Sequence, residues 1–244
     1  MVSQTWQIRR IDPALPGDLP RSQREAKLLP HRYLSEFDRS LYIDNSVMLK
    51  ALPEEIDARW AGSSGLRLCE HSFRKTVADE CAEVVRLRRD DPSRVMEWLC
   101  LMRRLQPQML SRRPIWGGML LRDHHLPLVQ RAMSRWYELV LRYSRRDQLS
   151  AWWAFDAVGL KPDVQRIDNL DAWSHNWPVV EARDEQLANF DPLDLQWPPD
   201  DIRALLAKLA RLERENARLT TQIEWHRKHQ ARTWFSVSKP KILR

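Results

Sequence analysis

The sequence has few cysteines and no long apolar run, and each shortage argues against a class of protein. Cysteine occurs three times in 244 residues, as Cys69, Cys81 and Cys100. An odd number without paired spacing argues against a disulfide framework and a metal-binding cysteine motif, so we expect free or buried thiols in a reducing cytoplasm. The first thirty residues carry charges where a signal peptide would be apolar. We expect no membrane-spanning segment and no secretion signal.

Net charge is nearly absent from most of the chain. The whole chain carries +7, but residues 200–244 hold eleven Lys or Arg and five Asp or Glu, which leaves +1 for the rest. In this tail, basic residues alternate with acids and with apolar heptad positions, which argues against continuous contact with a nucleic-acid backbone. We therefore expect no nucleic-acid binding. The basic and aromatic residues near the end favour contact with an anionic membrane surface instead.

Alternating strands and helices are predicted up to about residue 170, which is typical of an α/β domain. The apolar run within residues 38–44 is bounded by polar residues and predicts a buried parallel strand. Apolar residues on one helical face predict a helix over 127–143. Residues 90–93, which include a proline, predict a break between two helices within 76–105. The same patterns predict strands at 6–8, 66–69 and 114–121, and helices at 22–34, with an interruption at Pro30, and at 147–158.

Composition divides the chain into four predicted parts. They are an α/β domain over 1–170, an irregular linker with Trp and Pro over 171–199, a coiled-coil helix over 200–231 and a basic tail over 232–244. Ile and Leu keep a heptad spacing from 202 to 223, with Asn216 at a core position. Because one core Asn favours a parallel pair, we expect a homodimer through 202–223. A single amphipathic helix lying on the domain is the alternative.

The segment from Lys27 to Ser46 contains the first candidate site. Its predicted strand ends on Asp44 and Asn45, and side chains at the end of a strand lie where α/β proteins bind their ligands. Oxygen ligands of this kind suit Mg²⁺ or Mn²⁺. Turn formation or helix capping is the alternative use of these two residues.

A second polar group lies where one predicted helix ends and the next begins. Arg145 and Arg146 there are suited to bind phosphate, and Asp147 is suited to contact sugar hydroxyls. The alternative is a solvated arginine pair beside a capping carboxylate.

Two further pairs could contact a substrate. His71 and Arg74 fit either a substrate contact or pairing with nearby acids. Gly117 and Gly118 lie inside a predicted strand, where the absence of side chains lets another group approach the backbone. Most of the twelve tryptophans are expected in the core, although some could stack on sugar faces.

Taken in order, these motifs resemble those of the glycosyltransferase-like domain that bacterial proteins share with plant mucilage-related and turgor-regulation-defect proteins. The resemblance runs from about Trp6 to Gly159. Its matching residues are Trp6, Arg24, Lys27-Leu28-Leu29-Pro30-His31, Tyr42-Ile43-Asp44-Asn45, His71-Ser72-Phe73-Arg74, Glu80, Gly117-Gly118, Arg122-Asp123-His124-His125, Trp136 and Arg145-Arg146-Asp147-Gln148-Leu149-Ser150.

The resemblance implies a GT-A-like, Rossmann-like domain that moves a sugar from a nucleotide-sugar donor to a glycan or another acceptor. It also implies a divalent metal, Mn²⁺ or Mg²⁺, that would stabilise the leaving nucleoside diphosphate. The implied roles are donor binding by Lys27, Asp44, Asn45, Arg145 and Arg146, acceptor contact by Gly117, Gly118, His71 and Arg74, catalysis by Asp147 and Gln148, and metal binding by Asp44, with His175 as a further candidate ligand.

Two departures from the family pattern leave a second interpretation open. No second carboxylate lies two residues after Asp44. The strand at Trp6 resembles the second strand of such a domain, so either the start codon is assigned too late or the first strand, with half of the nucleotide pocket, is missing. The alternative function is a non-catalytic scaffold or interaction protein that has lost part of the donor pocket. For either function we expect a cytoplasmic protein in peripheral contact with the inner face of the membrane.

Overall fold

A computed structural model describes residues 7–60, 62–178 and 211–224. The chain divides into two compact units, Met1–Phe190 and Asp191–Arg244. The described helices of the first unit are α1 (Leu19–Leu28), α2 (Pro53–Arg59), α3 (Val77–Arg86), α4 (Pro92–Leu105), α5 (Pro107–Leu110), α6 (Pro127–Arg142) and α7 (Ala151–Val158), with 3-10 turns at Pro30–Arg32 and Asp147–Leu149. Its described strands are β1 (Arg39–Ile43), β2 (Met48–Leu49), β3 (Leu66–Glu70), β4 (Ile115–Asp123), β5 (Asp163–Gln165) and β6 (His175–Asn176).

A mixed four-stranded sheet with the order β1-β4-β3-β5 forms the centre of the first unit. Both β1 and β3 run antiparallel to β4, and β5 runs parallel to β3. The strands β1, β3 and β5 therefore point in one direction, and their carboxyl ends lie along one edge of the sheet. β2 and β6 form a separate antiparallel pair.

The strand predicted over 38–44 forms as β1, but the prediction that it is buried and parallel was wrong. β1 is an antiparallel edge strand, and only Ser40 of its five residues is buried. Successive side chains of a strand point to opposite faces. Tyr42 accordingly packs against one apolar core, while Leu41 and Ile43 pack against the other. The three consecutive apolar residues of β1 arise because both of its faces are partly covered by a core. They do not indicate a strand at the centre of the sheet.

Two apolar cores cover the two faces of the sheet. The larger core packs the sheet against the long helices and contains Trp98, Trp136 and Phe155. The smaller core includes Ile56 of α2 and Trp116 of β4. Because both faces are covered, eight of the nine residues of β4 are buried.

Regular pairing between β3 and β4 is interrupted at the two glycines of β4. Leu68 and Cys69 are adjacent in β3, but their partners in β4, Leu120 and Trp116, are not adjacent. Residues 117–119 therefore form a bulge on the β3 side. Bulges change the direction of a strand and are common beside functional sites.

The other predicted helices and strands within the described residues mostly form. The predictions for the regions now assigned to α1, α3, α4, α6, α7, β3 and β4 are confirmed, and the chain breaks between α3 and α4 as expected. The strand predicted at 6–8 is the exception. Gln7 and Ile8 are not in a strand, and Trp6 lies outside the described residues.

The second unit is described only over 211–224, which is helical and exposed along its whole length. The helix includes the heptad residues Leu212, Leu219 and Ile223, each about half exposed. The other parts of the predicted linker, coiled coil and tail beyond residue 178 lie outside the described residues. Pairing through 202–223 and membrane contact by the tail stay predictions. Among the described helices, none is long and apolar enough to cross a membrane.

Asp90, in the connection between α3 and α4, holds the loop that precedes the second 3-10 turn. Its carboxylate accepts hydrogen bonds from the Ser144 hydroxyl at 2.5 Å and from the Arg145 backbone N–H at 2.8 Å. The side chain of Asp90 is buried. The neighbouring Asp91 is exposed and caps α4 by accepting from the Ser93 backbone N–H at 2.8 Å.

We expect Asp90→Ala to lower the free energy of unfolding by about 3 kcal/mol, since it leaves one buried and one partly buried donor without an acceptor. Asp91→Ala is the matched control and should cost about 1 kcal/mol, the value of an ordinary N-cap. Urea unfolding of the full chain measures both. Equal losses for the two variants would contradict the assigned role of Asp90.

Candidate functional site

A cavity of about 800 Å³ lies where β1 and β3 end, since Asp44 and His71 directly follow those strands and both line it. The wall is completed by one face of α1, the glycine bulge of β4, α3 and the second 3-10 turn. Ten of the residues predicted as site residues line this cavity: Lys27, Asp44, Asn45, His71, Arg74, Gly117, Gly118, Arg146, Asp147 and Gln148.

Two predicted site residues do not line the cavity. The guanidinium of Arg145 lies 3.4 Å from the Asp90 carboxylate and donates to the Arg89 backbone carbonyl at 3.1 Å. His175 is buried and stacks on Trp116, with ring centroids 5.0 Å apart. Its two ring nitrogens lie at hydrogen-bonding distance from the Ser174 hydroxyl and the Asn169 carbonyl. Arg145 therefore fixes a loop, and His175 packs beneath the cavity wall.

Lys27 lies at the centre of the site and is almost completely buried. Its Nζ donates to the Gly117 carbonyl at 2.7 Å and lies 2.6 Å from Oδ2 of Asp147. It also lies 4.7 Å from the centre of the Tyr42 ring, a cation–π distance. Helix α1, strands β1 and β4, and the 3-10 turn therefore converge on one ammonium group. These contacts use the ammonium for internal pairing, although the sequence suggested donor binding.

The two glycines make room for protein groups. A Cβ at position 117 would lie 2.9 Å from Nζ of Lys27 and 3.5 Å from Oδ1 of Asp147. A Cβ at position 118 would overlap the Trp116 ring. The sequence correctly predicted a close approach to this backbone. The groups that approach it are the Lys27 ammonium and an indole ring.

Asp147 is held in place by buried tryptophans and by charge. Trp136 Nε1 donates to the Asp147 backbone carbonyl at 2.8 Å, and Trp98 Nε1 donates to the Leu149 carbonyl at 3.1 Å. The Asp147 carboxylate lies 3.3 Å from Nε of Arg24 as well as beside Lys27. Burial alone would raise the pKa of Asp147, but Lys27 and Arg24 lower it to about 2. A carboxylate with that pKa is a poor proton acceptor near neutral pH.

His71 and Glu80 form a second buried group on the wall. Nδ1 of His71 accepts from the backbone N–H groups of Phe73 and Arg74 at 3.1 and 3.2 Å. In the neutral ring the proton is therefore on Nε2, which lies 4.0 Å from Glu80. Burial and nearby arginines lower the pKa of His71 to about 4, so the ring is neutral at physiological pH.

Glu80 is the buried carboxylate whose pKa the arginines of this wall affect. It lies 3.2 Å from Nε of Arg74. Burial raises its pKa, and the charges of Arg146, Arg74 and Arg89 oppose that rise. Three arginines of the wall thus act on the pKa of one buried acid.

Asp44 has a different environment from the other two acids. Its Oδ1 accepts a 2.6 Å hydrogen bond from the Tyr42 hydroxyl, which in turn accepts from Nε2 of Gln23 at 2.7 Å. Its backbone N–H donates to the Gly118 carbonyl at 2.9 Å. The side chain is half-buried at the cavity wall, so Asp44 is placed to accept hydrogen bonds from a ligand.

The described residues do not fit a divalent metal held by the protein. Over 7–60, 62–178 and 211–224, no three His, Cys, Asp or Glu side chains converge as a possible metal site. The Tyr42 hydroxyl already occupies one oxygen of Asp44, and His175 has both nitrogens within hydrogen-bonding distance of other groups. A site made by protein side chains alone would need several such ligands, whereas Mg²⁺ bound together with a substrate diphosphate takes one or two carboxylates, the phosphate oxygens and water. The arrangement therefore does not support His175 as a ligand, and the metal role of Asp44 stays a prediction.

Some residues of the wall received no role from the sequence. Arg24 and Glu80 belong to the motif pattern but were given no function there. Trp177, one of the tryptophans that could stack on a sugar, lies in the segment predicted to be an irregular linker, and its Nε1 donates to the Ser46 hydroxyl at 2.9 Å. Arg89 lies directly before the predicted helix break at 90–93. Because Arg89 is separated from the other wall residues along the chain, no local sequence pattern could have identified it.

Comparisons with known proteins give one match. The model of the TOD1/MUCI70 glycosyltransferase-like domain family matches residues 2–169, which is more than half of the 244 residues. The matched range includes all cavity-lining residues except Leu170 and Trp177. No curated protein and no solved structure was found to match.

We expect Gly117→Ala to lower the free energy of unfolding by about 2 kcal/mol, because a methyl group forced into a packed site strains its neighbours. The ammonium of Lys27, which pairs with Asp147, would have to shift. Gly17→Ala is the control, since nothing lies within 4 Å of a Cβ at that position. Urea unfolding of both variants measures the difference, and equally small effects would refute this explanation of Gly117.

We expect Asp147→Asn to cost about 3 kcal/mol at neutral pH, because it leaves buried cations unpaired. The folded pKa of Asp147 is about 2 and the unfolded value is about 3.9. The contribution of the carboxylate is therefore complete above about pH 4 and disappears as the pH falls towards about 2. Urea unfolding of the wild type and the variant between pH 7 and pH 3 should show the difference shrinking below about pH 4. A difference independent of pH would contradict the assigned ion pair.

Proposed function

The chain belongs to the TOD1/MUCI70 glycosyltransferase-like domain family, and on that basis we propose that it transfers a sugar from a nucleotide-sugar donor to a hydroxyl group of a glycan or another acceptor. The observation that carries the proposal is the cavity of about 800 Å³ lined by both cationic and aromatic side chains. Its volume is within the range of small-molecule sites. The GT-A-like relationship is part of this proposal, and the position of the cavity beyond the carboxyl ends of β1 and β3 supports it.

The reaction requires the exchange of one bond at the anomeric carbon of the donor sugar. The bond from this carbon to the phosphate oxygen breaks, and its electron pair stays on the leaving nucleoside diphosphate. The oxygen of the acceptor hydroxyl bonds to the anomeric carbon, and its proton is released to water. The protein must bind the diphosphate, orient the sugar and stabilise the charge that develops on the leaving group.

The wall offers different groups for the different parts of a nucleotide sugar. Guanidinium groups such as Arg146 suit phosphate oxygens. Asp44 and Gln148 offer acceptor oxygens for sugar hydroxyls. The rings of Trp116 and Trp177, whose centroids lie 5.5 Å apart, suit the apolar face of a sugar or a base.

Asp147 does not act as the proton acceptor in this proposal, although the sequence suggested it as a catalytic residue. Its carboxylate is neutralised by Lys27 and Arg24. Its proposed role is to position the Gln148 side chain and the arginine next to it at the wall. Gln148 keeps its predicted place at the sugar.

We expect the full chain to bind a nucleoside diphosphate sugar with a Kd in the micromolar range, about 8 kcal/mol of binding free energy, and to hydrolyse it slowly when no acceptor is present. A panel of uridine, guanosine and thymidine diphosphate sugars, titrated by calorimetry and assayed for released nucleoside diphosphate, measures both. Asp44→Ala should weaken binding at least about tenfold, because it removes a ligand-facing acceptor from the wall.

Asp38→Ala is the matched control for the titration, since Asp38 is exposed beside the other end of β1 and is not a lining residue. It should bind like the wild type. Binding without hydrolysis or transfer would favour the alternative of a non-catalytic scaffold. If no nucleotide sugar bound, with or without Mg²⁺ or Mn²⁺, the proposed function would be wrong.

A further inference from the structure

A second, smaller cavity of about 360 Å³ lies beside the cavity of the candidate site. One side of it is a single face of α3, because Ala82, Glu83 and Arg86 follow Asp79 by three, four and seven residues. The other side is the loop 73–75 that precedes α3. The volume is within the range of small-molecule sites. We call this smaller cavity the α3 groove.

The α3 groove and the larger cavity meet at two side chains. Phe73 and Arg74 line both of them. A ligand that fills both cavities must therefore pass over these two residues.

The ring of Phe73 is 47% exposed, although the loop that carries it is firmly held. The Phe73 backbone N–H donates to Nδ1 of the buried His71 at 3.1 Å, and the two rings meet edge to face with centroids 5.8 Å apart. One residue earlier, the Ser72 backbone N–H donates to Oδ1 of the buried Asn169 at 2.7 Å. An aromatic ring on a fixed backbone binds a flat apolar surface at little cost in conformational entropy.

Arg74 fixes the wall between the two cavities. Its Nε lies 3.2 Å from Glu80, which lines the larger cavity, and its Nη2 lies 2.7 Å from Glu83, which lines the groove. Arg86 also pairs with Glu83, at 2.7 Å. Because carboxylates lie beside both guanidinium groups, the groove is poorly suited to a second phosphate.

The chemistry of the groove suits a chain of sugars. A sugar ring has an apolar face and a rim of hydroxyl groups, each of which donates and accepts hydrogen bonds. The Phe73 ring suits such a face. Lys75 offers donors along the same groove, and Asp79 and Glu83 offer acceptor oxygens. A small acceptor that filled only the larger cavity would contact none of these three polar side chains.

We propose that the α3 groove binds the acceptor, and that this acceptor is an oligosaccharide chain. The chain lies along the groove, one of its rings stacks on Phe73, and its terminal unit enters the larger cavity. This inference rests on the proposed function and narrows the acceptor from a glycan or another molecule to a sugar chain.

Transfer then takes place on the terminal unit of that chain. One of its hydroxyl oxygens bonds to the anomeric carbon of the donor, the nucleoside diphosphate departs with the electron pair of the broken bond, and the hydroxyl proton is released to water. The family resemblance suggested acceptor contact by His71 and Arg74. In this assignment, His71 positions the Phe73 ring, and Arg74 positions the wall beside it.

A glycan array tests this assignment. The labelled full chain is applied to immobilised neutral and acidic glycans that range from single sugars to long oligosaccharides. Those that bind are then titrated in solution by calorimetry. We expect an oligosaccharide to bind at least about tenfold more tightly than its own terminal sugar alone, because only the longer ligand reaches the groove.

Phe73→Ala should weaken oligosaccharide binding at least about fivefold. Phe73→Trp should bind like the wild type, because another aromatic ring provides the same apolar surface. Phe37→Ala is the matched control. Phe37 is 49% exposed but is not a lining residue of either cavity, so its loss should leave the Kd unchanged.

Ala82→Leu tests the groove separately from the ring. Ala82 is exposed on α3 and lines the groove but not the larger cavity. Leucine is a good helix former, and its larger side chain should exclude part of the sugar chain and weaken oligosaccharide binding at least about threefold. Ala58→Leu, at an exposed position of α2, is the matched control and should bind like the wild type. Circular dichroism checks that each variant is folded.

The possible failures separate this assignment from the proposed function. Single sugars that bind as tightly as their oligosaccharides would overturn the groove assignment, as would equal affinities of Phe73→Ala and Phe37→Ala, or no binding of any glycan. If Phe73→Ala weakened nucleotide-sugar binding as much as oligosaccharide binding, the ring would belong to the donor site and the assignment would again be wrong. Each of these results leaves the proposed function standing, because the titration of the full chain with nucleotide sugars decides that function.

Discussion

The ion pair between Lys27 and Asp147 is the contact on which the site depends. The ammonium is almost completely buried and also donates to the Gly117 carbonyl at 2.7 Å. Isolated in a protein interior, either charge would cost several kcal/mol. Because the two occur together, helix α1, the central strand and the 3-10 turn that carries Asp147 must all be in place at once. The pair therefore contributes more to the geometry of the site than to net stability.

The same pair decides which charges of the cavity remain for a ligand. Lys27 and Arg24 neutralise Asp147 and are used within the protein. Arg146, Arg74 and Arg89 all oppose the rise in the pKa of a single buried acid, Glu80. The arginines of the wall suit the proposed nucleotide sugar, which is an anion. The aromatic rings on its wall favour a ligand that also has a flat or apolar part.

Local patterns predicted much of the fold. Apolar periodicity placed α6, and the sequence around Asp90 correctly predicted the break between α3 and α4. The direction of β1 could not be predicted, because a half-buried edge strand and a buried parallel strand both contain short apolar runs. The bulge at Gly117 was expected only as a close approach to the backbone. The identity of the approaching group, Lys27, depends on a contact between residues 90 positions apart.

Residue types and order along the chain were enough to indicate the family and most of the residues that line one cavity. Short motifs are enough for this, because the residue types and spacing within a motif can be recognised without knowing the fold. Tertiary structure alone decided how each side chain is used. Asp147 pairs internally, Arg145 fixes a loop, His175 packs against Trp116, and Arg89 joins the wall. The pKa of a group, and the donors or acceptors it has left for a ligand, depend on its neighbours in space. These neighbours come from distant parts of the sequence.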